Sequence, residues 1–341
     1  MKKQILFLLI ISFIFNCNEQ QNNGGEKLIL LKNSQIEIGI VPDLGGRIVL
    51  LRKSGMNNIL KSDPTQWNDP LARPAISAFS DFKAFNGHIV WLSPQSEWWM
   101  KQDINPVRRD NKAVWPPDPY LIYGDYKIAK KNDTSITMIS PESPVSGVQL
   151  TKKVSFNSEG VVRFEAAAKN IREKSVSWGL WLNTRLDGFA RCYVPADKSD
   201  LLKLAVEDNG SNKPLPYEFI DGYFTFMPPA PKDSSIKYVQ KAFINPSETF
   251  MVGFSQGQAI KISFEYVPPE QIHPDQAPVE IYNTVSNKES LLEMEIHGPY
   301  LTLQPGESMH LTETWQLFKY DGENVTDSHI RFVNEKLKGK R

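Results

Sequence analysis

The sequence predicts an all-β protein, a large antiparallel β-sandwich with a short C-terminal helix. Segment after segment alternates apolar and polar residues over short stretches, which is the period of a half-buried strand. The chain of 341 residues also contains 24 prolines and 20 glycines, so many turns are expected. With no internal repeat and no low-complexity linker, these strands are assigned to one sandwich, and two smaller sandwiches remain the alternative.

The clearest strand pair is a hairpin in the middle of the chain. Val148–Phe156 alternates, apart from a slip at two lysines, and passes through the turn residues Asn157–Gly160 into Val161–Ala167. Gln35–Ile40 alternates in the same way. The further predicted strands are Ser175–Leu182, Tyr223–Met227, Phe250–Ser255, Ala259–Tyr266, Val279–Thr284, Leu291–His297 and His310–Phe318.

Helical periodicity is almost confined to Thr326–Leu337. Its apolar positions on one face are Ile330, Val333 and Leu337. Thr326 or Asp327 is available as the N-cap. The polar stretch Ala196–Pro216 is the one plausible domain boundary, and we interpret it as a long loop.

The N-terminus has the plan of a secretory signal. Met1–Gln4 is basic, and Ile5–Phe15 is an apolar run relieved only by Ser12. A membrane-spanning helix needs about 20 apolar residues, so this run is too short for one. The predicted organisation is a signal peptide at 1–16, a lipidated cysteine and flexible tether at 17–26, and one domain at 27–341.

Cys17 follows the apolar run and precedes the polar stretch Asn18–Gly25. It resembles the acceptor of bacterial lipoproteins, whose thiol is acylated after cleavage. Such signals usually carry a small residue before the cysteine and Leu three before it, whereas Asn16 and Ile14 stand here. The resemblance implies a lipid anchor on Cys17 and a place in the cell envelope, on the periplasmic side or the cell surface. Ordinary cleavage nearby is the alternative.

Charge and cysteine content exclude several classes. Lys+Arg and Asp+Glu are equal at 39 each, which argues against a nucleic-acid partner. Cys192 is the only other cysteine, so it cannot form a disulfide within the mature chain and is expected to be a buried small residue. The sequence has no Cys/His spacing for zinc. We therefore predict no metal and no cofactor.

Three groups of segments together resemble the galactose mutarotase-like superfamily, and within it a group of bacterial proteins known mainly as a domain of unknown function. The segments are Ile36–Leu51 with its paired glycines, Asn86–Gln95 with Trp98 and Trp115–Pro117, and Val279–Asn283 with Leu292–Pro299 and Leu303–Ser308. The resemblance implies a super-sandwich whose concave sheet forms an open sugar-binding cleft. It makes a carbohydrate the expected partner.

Mutarotation needs a base at the anomeric hydroxyl and an acid at the ring oxygen. Strand alternation places Glu293, Glu295 and His297 on one face, which is either the cleft or a solvated outer face. Glu295, followed by Pro299, resembles the family's catalytic carboxylate. His88 after Asn86 and a glycine resembles its first, sugar-contacting histidine, and both are predicted catalytic residues.

One stretch departs from the family pattern. Where aldose epimerases carry their general-acid histidine, this chain reads Trp178–Leu186, with Arg185 and no histidine. Arginine is too weak an acid to give up a proton near neutral pH, so ordinary mutarotase chemistry is in doubt. His273 or His297 could substitute only if the fold brings one of them close.

Aromatic residues supply a second argument for a sugar ligand. Five of the eight tryptophans lie between Trp67 and Pro117, and indole rings stack on sugar faces, although about half should be core residues. The predicted substrate-binding residues are Arg47, Asn86, Trp91, Gln95, Trp98, Trp115, Asn183, Arg185, Tyr282 and Glu293.

Three functions follow from these observations. The leading one is an exported lipoprotein with a carbohydrate-binding cleft, with or without aldose 1-epimerase-like activity. The second is a non-catalytic carbohydrate-binding or scaffold lipoprotein. The third is a glycan hydrolase or lyase, which requires a second carboxylate facing Glu295, and Asp187 and Asp275 are the candidates.

Overall fold

The computed structural model describes residues 28–206, 212–229 and 236–338. The predicted signal at 1–16, Cys17 and the tether at 17–26 lie outside the described residues. Within those ranges, none of the helices is both long and apolar enough to cross a membrane.

In the described parts of the chain there are 21 strands and four short α-helices. The strands are β1 Ile29–Lys32, β2 Ile36–Val41, β3 Arg47–Lys53, β4 His88–Ser93, β5 Lys127–Lys131, β6 Ser135–Ile139, β7 Val148–Phe156, β8 Val162–Asn170, β9 Val176–Leu186, β10 Arg191–Pro195, β11 Leu201–Ala205, β12 Asn212–Lys213, β13 Tyr217–Ile220, β14 Tyr223–Phe226, β15 Lys237–Ile244, β16 Phe250–Ser255, β17 Gln258–Phe264, β18 Val279–Val285, β19 Ser290–His297, β20 Leu301–Leu303 and β21 Ser308–Lys319. The helices are α1 Pro64–Trp67, α2 Pro106–Asp110, α3 Pro119–Ile122 and α4 Thr326–Phe332, the last continued by a π-helical turn at Val333–Leu337.

Two large sheets make up the fold. The first has 11 strands in the order β1-β2-β3-β4-β9-β19-β18-β15-β11, with β12 beside β15 and β20 beside β9. The second has 10 strands in the order β13-β14-β10-β16-β17-β21-β8-β7-β6-β5. All pairs are antiparallel except β12 with β15. The all-β sandwich predicted from strand periodicity is confirmed.

The main core lies between the two sheets, and one hydrophobic cluster contains side chains from both. In β19 the inward residues Leu292, Met294 and Ile296 are all buried, as the alternation predicts. A side chain at Gly253 of the second sheet would clash with Met294 of the first, so the sheets approach closely there. The opposite face of the first sheet points away from this core.

Most predicted elements match the structure, with two corrections. The hairpin forms between β7 and β8, and the predicted C-terminal helix covers α4 and the π-helical turn. The helix has Val325 at its N-cap without a side-chain hydrogen bond, so the expected Thr326 or Asp327 cap is wrong. The predicted loop Ala196–Pro216 contains β11, a partly exposed strand of the first sheet, whose weak apolar pattern concealed it.

The paired glycines make the tight turn expected between β2 and β3. Gly45 has φ +72°, and a Cβ there would lie 2.3 Å from the carbonyl oxygen of Ile122. Only glycine allows both this backbone conformation and this approach. The turn therefore holds α3 against the first sheet.

A polar pair is enclosed between the sheets. His88 of β4 and Glu313 of β21 are 1% and 2% exposed, and Nε2 of His88 lies 3.4 Å from Oε1 of Glu313. His88 also contacts the rings of Phe164 and Trp315. Burial lowers the pKa of His88 well below its usual range and raises the pKa of Glu313 to about 8. Both groups are therefore neutral at pH 7.

Glu313 should make stability fall as the pH rises. Its folded-state pKa is above the unfolded value of 4.5, so its favourable contribution is complete below pH 4.5 and is lost through pH 8. Glu313→Gln keeps the size and shape of the side chain but removes its ionisable carboxyl group. We expect the variant to gain on the order of 3–5 kcal/mol over wild type between pH 5 and 9, measured by urea unfolding.

The matched control is Glu159→Gln in the exposed turn between β7 and β8. This variant should follow the wild-type stability profile. If the free energy of unfolding of Glu313→Gln has the same pH dependence as that of wild type, Glu313 is ionised in the folded protein across this range. The expectation is then wrong.

Candidate functional site

The outward face of the first sheet carries three rows of side chains that cross its strands. Pairing of β15, β18, β19 and β9 sets the rows, because residues directly opposite each other in adjacent strands point to the same side. The first row is Lys241, Tyr282, Glu293 and Arg185; the second is Phe243, Glu280, Glu295 and Asn183; the third, which reaches β4, is His297, Trp181 and Trp91.

A cavity of about 1020 Å³ lies over this face. Its floor comes from the first and third rows, namely Lys241, Tyr282, Glu293, Arg185, Trp181 and Trp91. One wall comes from the segments that join β3 to β4 and β4 to β5, which contribute Lys61, Gln66, Phe82, Ala84, Asn86, Gln95 and Trp115. The turn between β18 and β19 supplies the other wall. The volume is large enough for an oligosaccharide.

Tryptophans form a connected group beside the cavity. The rings of Trp91 and Trp181 meet edge to face at 4.8 Å, and Trp98 packs behind them at 5.6 Å from Trp91. Trp115 is 43% exposed and meets Phe82 at 4.6 Å. The side-chain amide of Gln95 donates to the carbonyl oxygen of Val114 and so fixes the backbone beside Trp115.

Arg185 and Glu293 form an ion pair at the floor. Nη2 of Arg185 lies 2.7 Å from Oε1 of Glu293, and the guanidinium carbon lies 5.0 Å from the ring centre of Trp91. Nε of Arg185 donates to the side-chain oxygen of Asn183 at 3.3 Å. These contacts hold the guanidinium in one orientation at the cavity surface.

The second row is covered by Lys241. Its Nζ lies 2.5 Å from Oε2 of Glu280 and 2.8 Å from Oε2 of Glu295, and 4.6 Å from the ring centre of Trp181. Both carboxyl groups have no exposed surface. Asn183 donates to the second oxygen of Glu295 at 2.8 Å. Glu295 therefore lies under the cavity floor, with both oxygens engaged.

Burial and neighbouring charges shift the pKa values of the groups in this cluster (Lys241, Glu280, Glu295 and His297) in different directions. Burial lowers the pKa of Lys241, but Glu280 and Glu295 outweigh it and raise it above normal. Burial raises the pKa of Glu280, but Lys241 and His297 bring it down to about 2. Burial, Glu293 and Glu280 raise the pKa of Glu295 well above its usual range against the effect of Lys241. The ammonium of Lys241 thus favours the charged form of Glu280, while burial disfavours the charged form of Glu295.

The cluster also has the donor set of a cation site. Ligand atoms of Glu280, Glu295 and His297 lie within 4.8 Å of one another. Nε2 of His297 is 3.5 Å from Oε1 of Glu280, and burial lowers the pKa of His297. The ammonium of Lys241 supplies the positive charge that these carboxyl groups require.

The structure brings seven of the predicted binding residues to one cavity. They are Asn86, Trp91, Gln95, Trp115, Arg185, Tyr282 and Glu293. Their contact with a ligand stays a prediction.

The other predicted residues lie elsewhere. His88 faces the inter-sheet core, so its expected cleft position is wrong. Arg47 is 2% exposed and donates to the carbonyl oxygens of Asn86 and Ile122, so it supports the wall from behind. Trp98 and Asn183 are buried behind the floor, and neither lines the cavity.

The proposed substitutes do not reach the cavity either. Among the described residues, four do not line the cavity: His273, His297, Asp187 and Asp275. Asp275 accepts a hydrogen bond from Ser96, and Asp187 accepts one from Ser290. No histidine lines the cavity within the described ranges.

Sequence reasoning missed Lys241 and Trp181. Trp181 could have been found, because it alternates with Asn183 and Arg185 on the same strand face. Lys241 had no such signal, since its partners lie on strands about 40 and 55 residues further along the chain and only the pairing register brings them together.

Lys241→Met should destabilise the protein strongly. The change leaves the carboxylate of Glu280 buried without its ammonium partner, which typically costs about 3–5 kcal/mol of unfolding free energy. Lys237→Met on the same strand is the matched control, because the pair of Lys237 with Glu289 is partly exposed at 3.5 Å and should contribute less than about 1 kcal/mol. Urea unfolding at pH 7 measures both. Equal losses in the two variants would contradict the ion cluster.

Comparisons with solved structures place the fold. The Slr1438 protein from Synechocystis sp. PCC 6803 is 11% identical with TM-score 0.56, over 86% of this chain and 96% of that one. A galactose mutarotase-like protein from Lactobacillus casei ATCC 334 is 14% identical with TM-score 0.53, over 85% and 100%. A putative aldose 1-epimerase from Escherichia coli K12 is 14% identical with TM-score 0.50, over 86% and 99%.

At these identities the likeness shows the fold alone, which is galactose mutarotase-like. A search of curated proteins finds no match. The family model described as a domain of unknown function, DUF4380, matches residues 27–318. The chain therefore belongs to the DUF4380 family, within the galactose mutarotase-like fold.

Proposed function

We propose that this protein binds a carbohydrate in the cavity over its first sheet. The observation that carries the proposal is the exposed indole of Trp115 in the cavity wall, beside fixed polar groups and backed by the buried rings of Trp91 and Trp181. Aromatic faces pack on the apolar faces of sugar rings, while amides and charged groups bind hydroxyls. The galactose mutarotase-like fold supports the same class of ligand.

The arrangement favours binding over mutarotation. A general base must reach the proton that it removes, and it must be ionised. Glu295 has no exposed surface and a raised pKa, and Lys241 lies between it and the cavity. Glu293 is the carboxylate that reaches the floor, but it is paired with Arg185. We therefore place the non-catalytic alternative ahead of an aldose 1-epimerase-like activity.

The hydrolase or lyase alternative has less support. It needs a pair of carboxylates facing one bond, at about 5–10 Å. Asp187 and Asp275 do not line the cavity, and Glu295 is covered.

The cavity aromatic Trp115 provides the test. Its exposed indole should stack on the ligand, and Trp115→Ala should weaken binding about tenfold, which corresponds to about 1.4 kcal/mol. Calorimetric titration of the full chain against free sugars and oligosaccharides finds the ligand, and polarimetry on each hit should show no faster anomer exchange.

Phe79→Ala is the control, because Phe79, in the segment that joins β3 to β4, is 66% exposed but does not line the cavity. It should bind like wild type. Absence of binding across the panel would refute the proposal, and faster anomer exchange would restore the epimerase alternative.

We also propose that the protein is exported and anchored through lipid on Cys17. The support is the basic start, the short apolar run and the polar stretch after Cys17. An acyl anchor on the cysteine would hold the cavity at the cell envelope.

Cys17→Ser should move the protein from the membrane fraction to the soluble fraction and abolish labelling by a fatty-acid analogue. Cys192→Ser is the control, because Cys192 is buried in the fold and should leave fractionation unchanged. A wild-type chain that carries no label would overturn lipidation.

A further inference from the structure

The cavity is locally cationic in a chain whose formal net charge is zero. Its described lining contains five cationic side chains and two anionic ones. They are Lys61, Arg185, Lys237, Lys241 and Lys288, against Glu289 and Glu293. A concave surface with such an excess raises the local potential and attracts anions.

At the floor, the charges that balance Lys241 are hidden from a ligand. Glu280 and Glu295 have no exposed surface, whereas the side chain of Lys241 is 18% exposed and lines the cavity. The ammonium is paired by charge with both carboxyl groups, at 2.5 and 2.8 Å, and it carries three N–H donors. A ligand can therefore contact the ammonium group but neither of the carboxyl groups.

At the rim, two ammonium groups are held loosely. Nζ of Lys61 lies 4.0 Å from Asp187, beyond hydrogen-bond distance. Lys288 lies in the turn between β18 and β19. It makes no ion pair with any residue that the structure describes. Both are free to turn towards a group in the cavity.

We infer that the carbohydrate bound here carries an anionic group, a carboxylate, sulfate or phosphate, held by Lys241 at the floor and by Lys61 and Lys288 at the rim. The inference rests on the proposed carbohydrate binding and narrows its ligand class. A neutral sugar would stack on the same Trp115 ring but would leave these ammonium groups without an acceptor of full charge.

The test compares ligands that differ only in charge. Oligosaccharides of uronic acids and their methyl esters are titrated against the full chain at low and high salt, and sulfated and phosphorylated sugars identify which anion is preferred. We expect the acid to bind at least about tenfold more tightly than its ester at low salt, with the difference shrinking at high salt.

Variants then locate the effect. Lys61→Gln with Lys288→Gln should weaken binding of the acidic ligand by about two- to fivefold per lysine, and binding of the ester by less. Lys130→Gln, on exposed β5 of the second sheet, is the matched control and should bind both ligands like wild type.

The outcomes separate the two claims. Equal affinity for acid and ester overturns the anionic ligand while carbohydrate binding stands. Acid-selective binding that the Lys61 and Lys288 substitutions do not change overturns this assignment of the cations. Failure of every acidic, sulfated, phosphorylated and neutral sugar to bind overturns both.

Discussion

The pairing register of β18, β19 and β9 is the constraint on which the cavity depends. A strand shifted by one residue turns every side chain to the other face, so this register decides that Glu280, Glu295 and Asn183 form one row. The same register buries Leu292, Met294 and Ile296 against the second sheet. One set of backbone hydrogen bonds therefore builds the core on one face and the polar floor on the other.

Lys241 covers this polar row and pairs with its two carboxyl groups, so that the row stabilises the fold and does not face the cavity. Two carboxyl groups side by side inside a protein are unstable unless a cation or a proton neutralises them, and here the ammonium of Lys241 lies within 2.8 Å of both. The result is a floor with indole, guanidinium and ammonium groups at its surface and carboxyl groups beneath. The side chain of Lys241 on β15 thus separates the carboxyl groups of Glu280 and Glu295 from the cavity.

The sequence carried the information for the face of β19 but not for that of β4. In β19, charged residues alternate with apolar ones, and the alternation sets the orientation of Glu295. In β4, all six residues from His88 to Ser93 are buried. The pattern therefore does not show which alternate residues face the cavity and which face the core. His88 fell on the core side for that reason, opposite Thr184. Long-range partners such as Lys241 depend on pairing that one sequence does not reveal.

The packing of the tryptophan group beside the cavity affects the entropy cost of binding a ligand there. Trp91, Trp98 and Trp181 are each less than 5% exposed and pack on one another, and Trp115 rests within 6.1 Å of Trp91. Rings held in this way have little rotational freedom left to lose, so the conformational entropy cost of binding falls mainly on the ligand. The cavity should therefore select rigid ligands over flexible ones of the same chemistry.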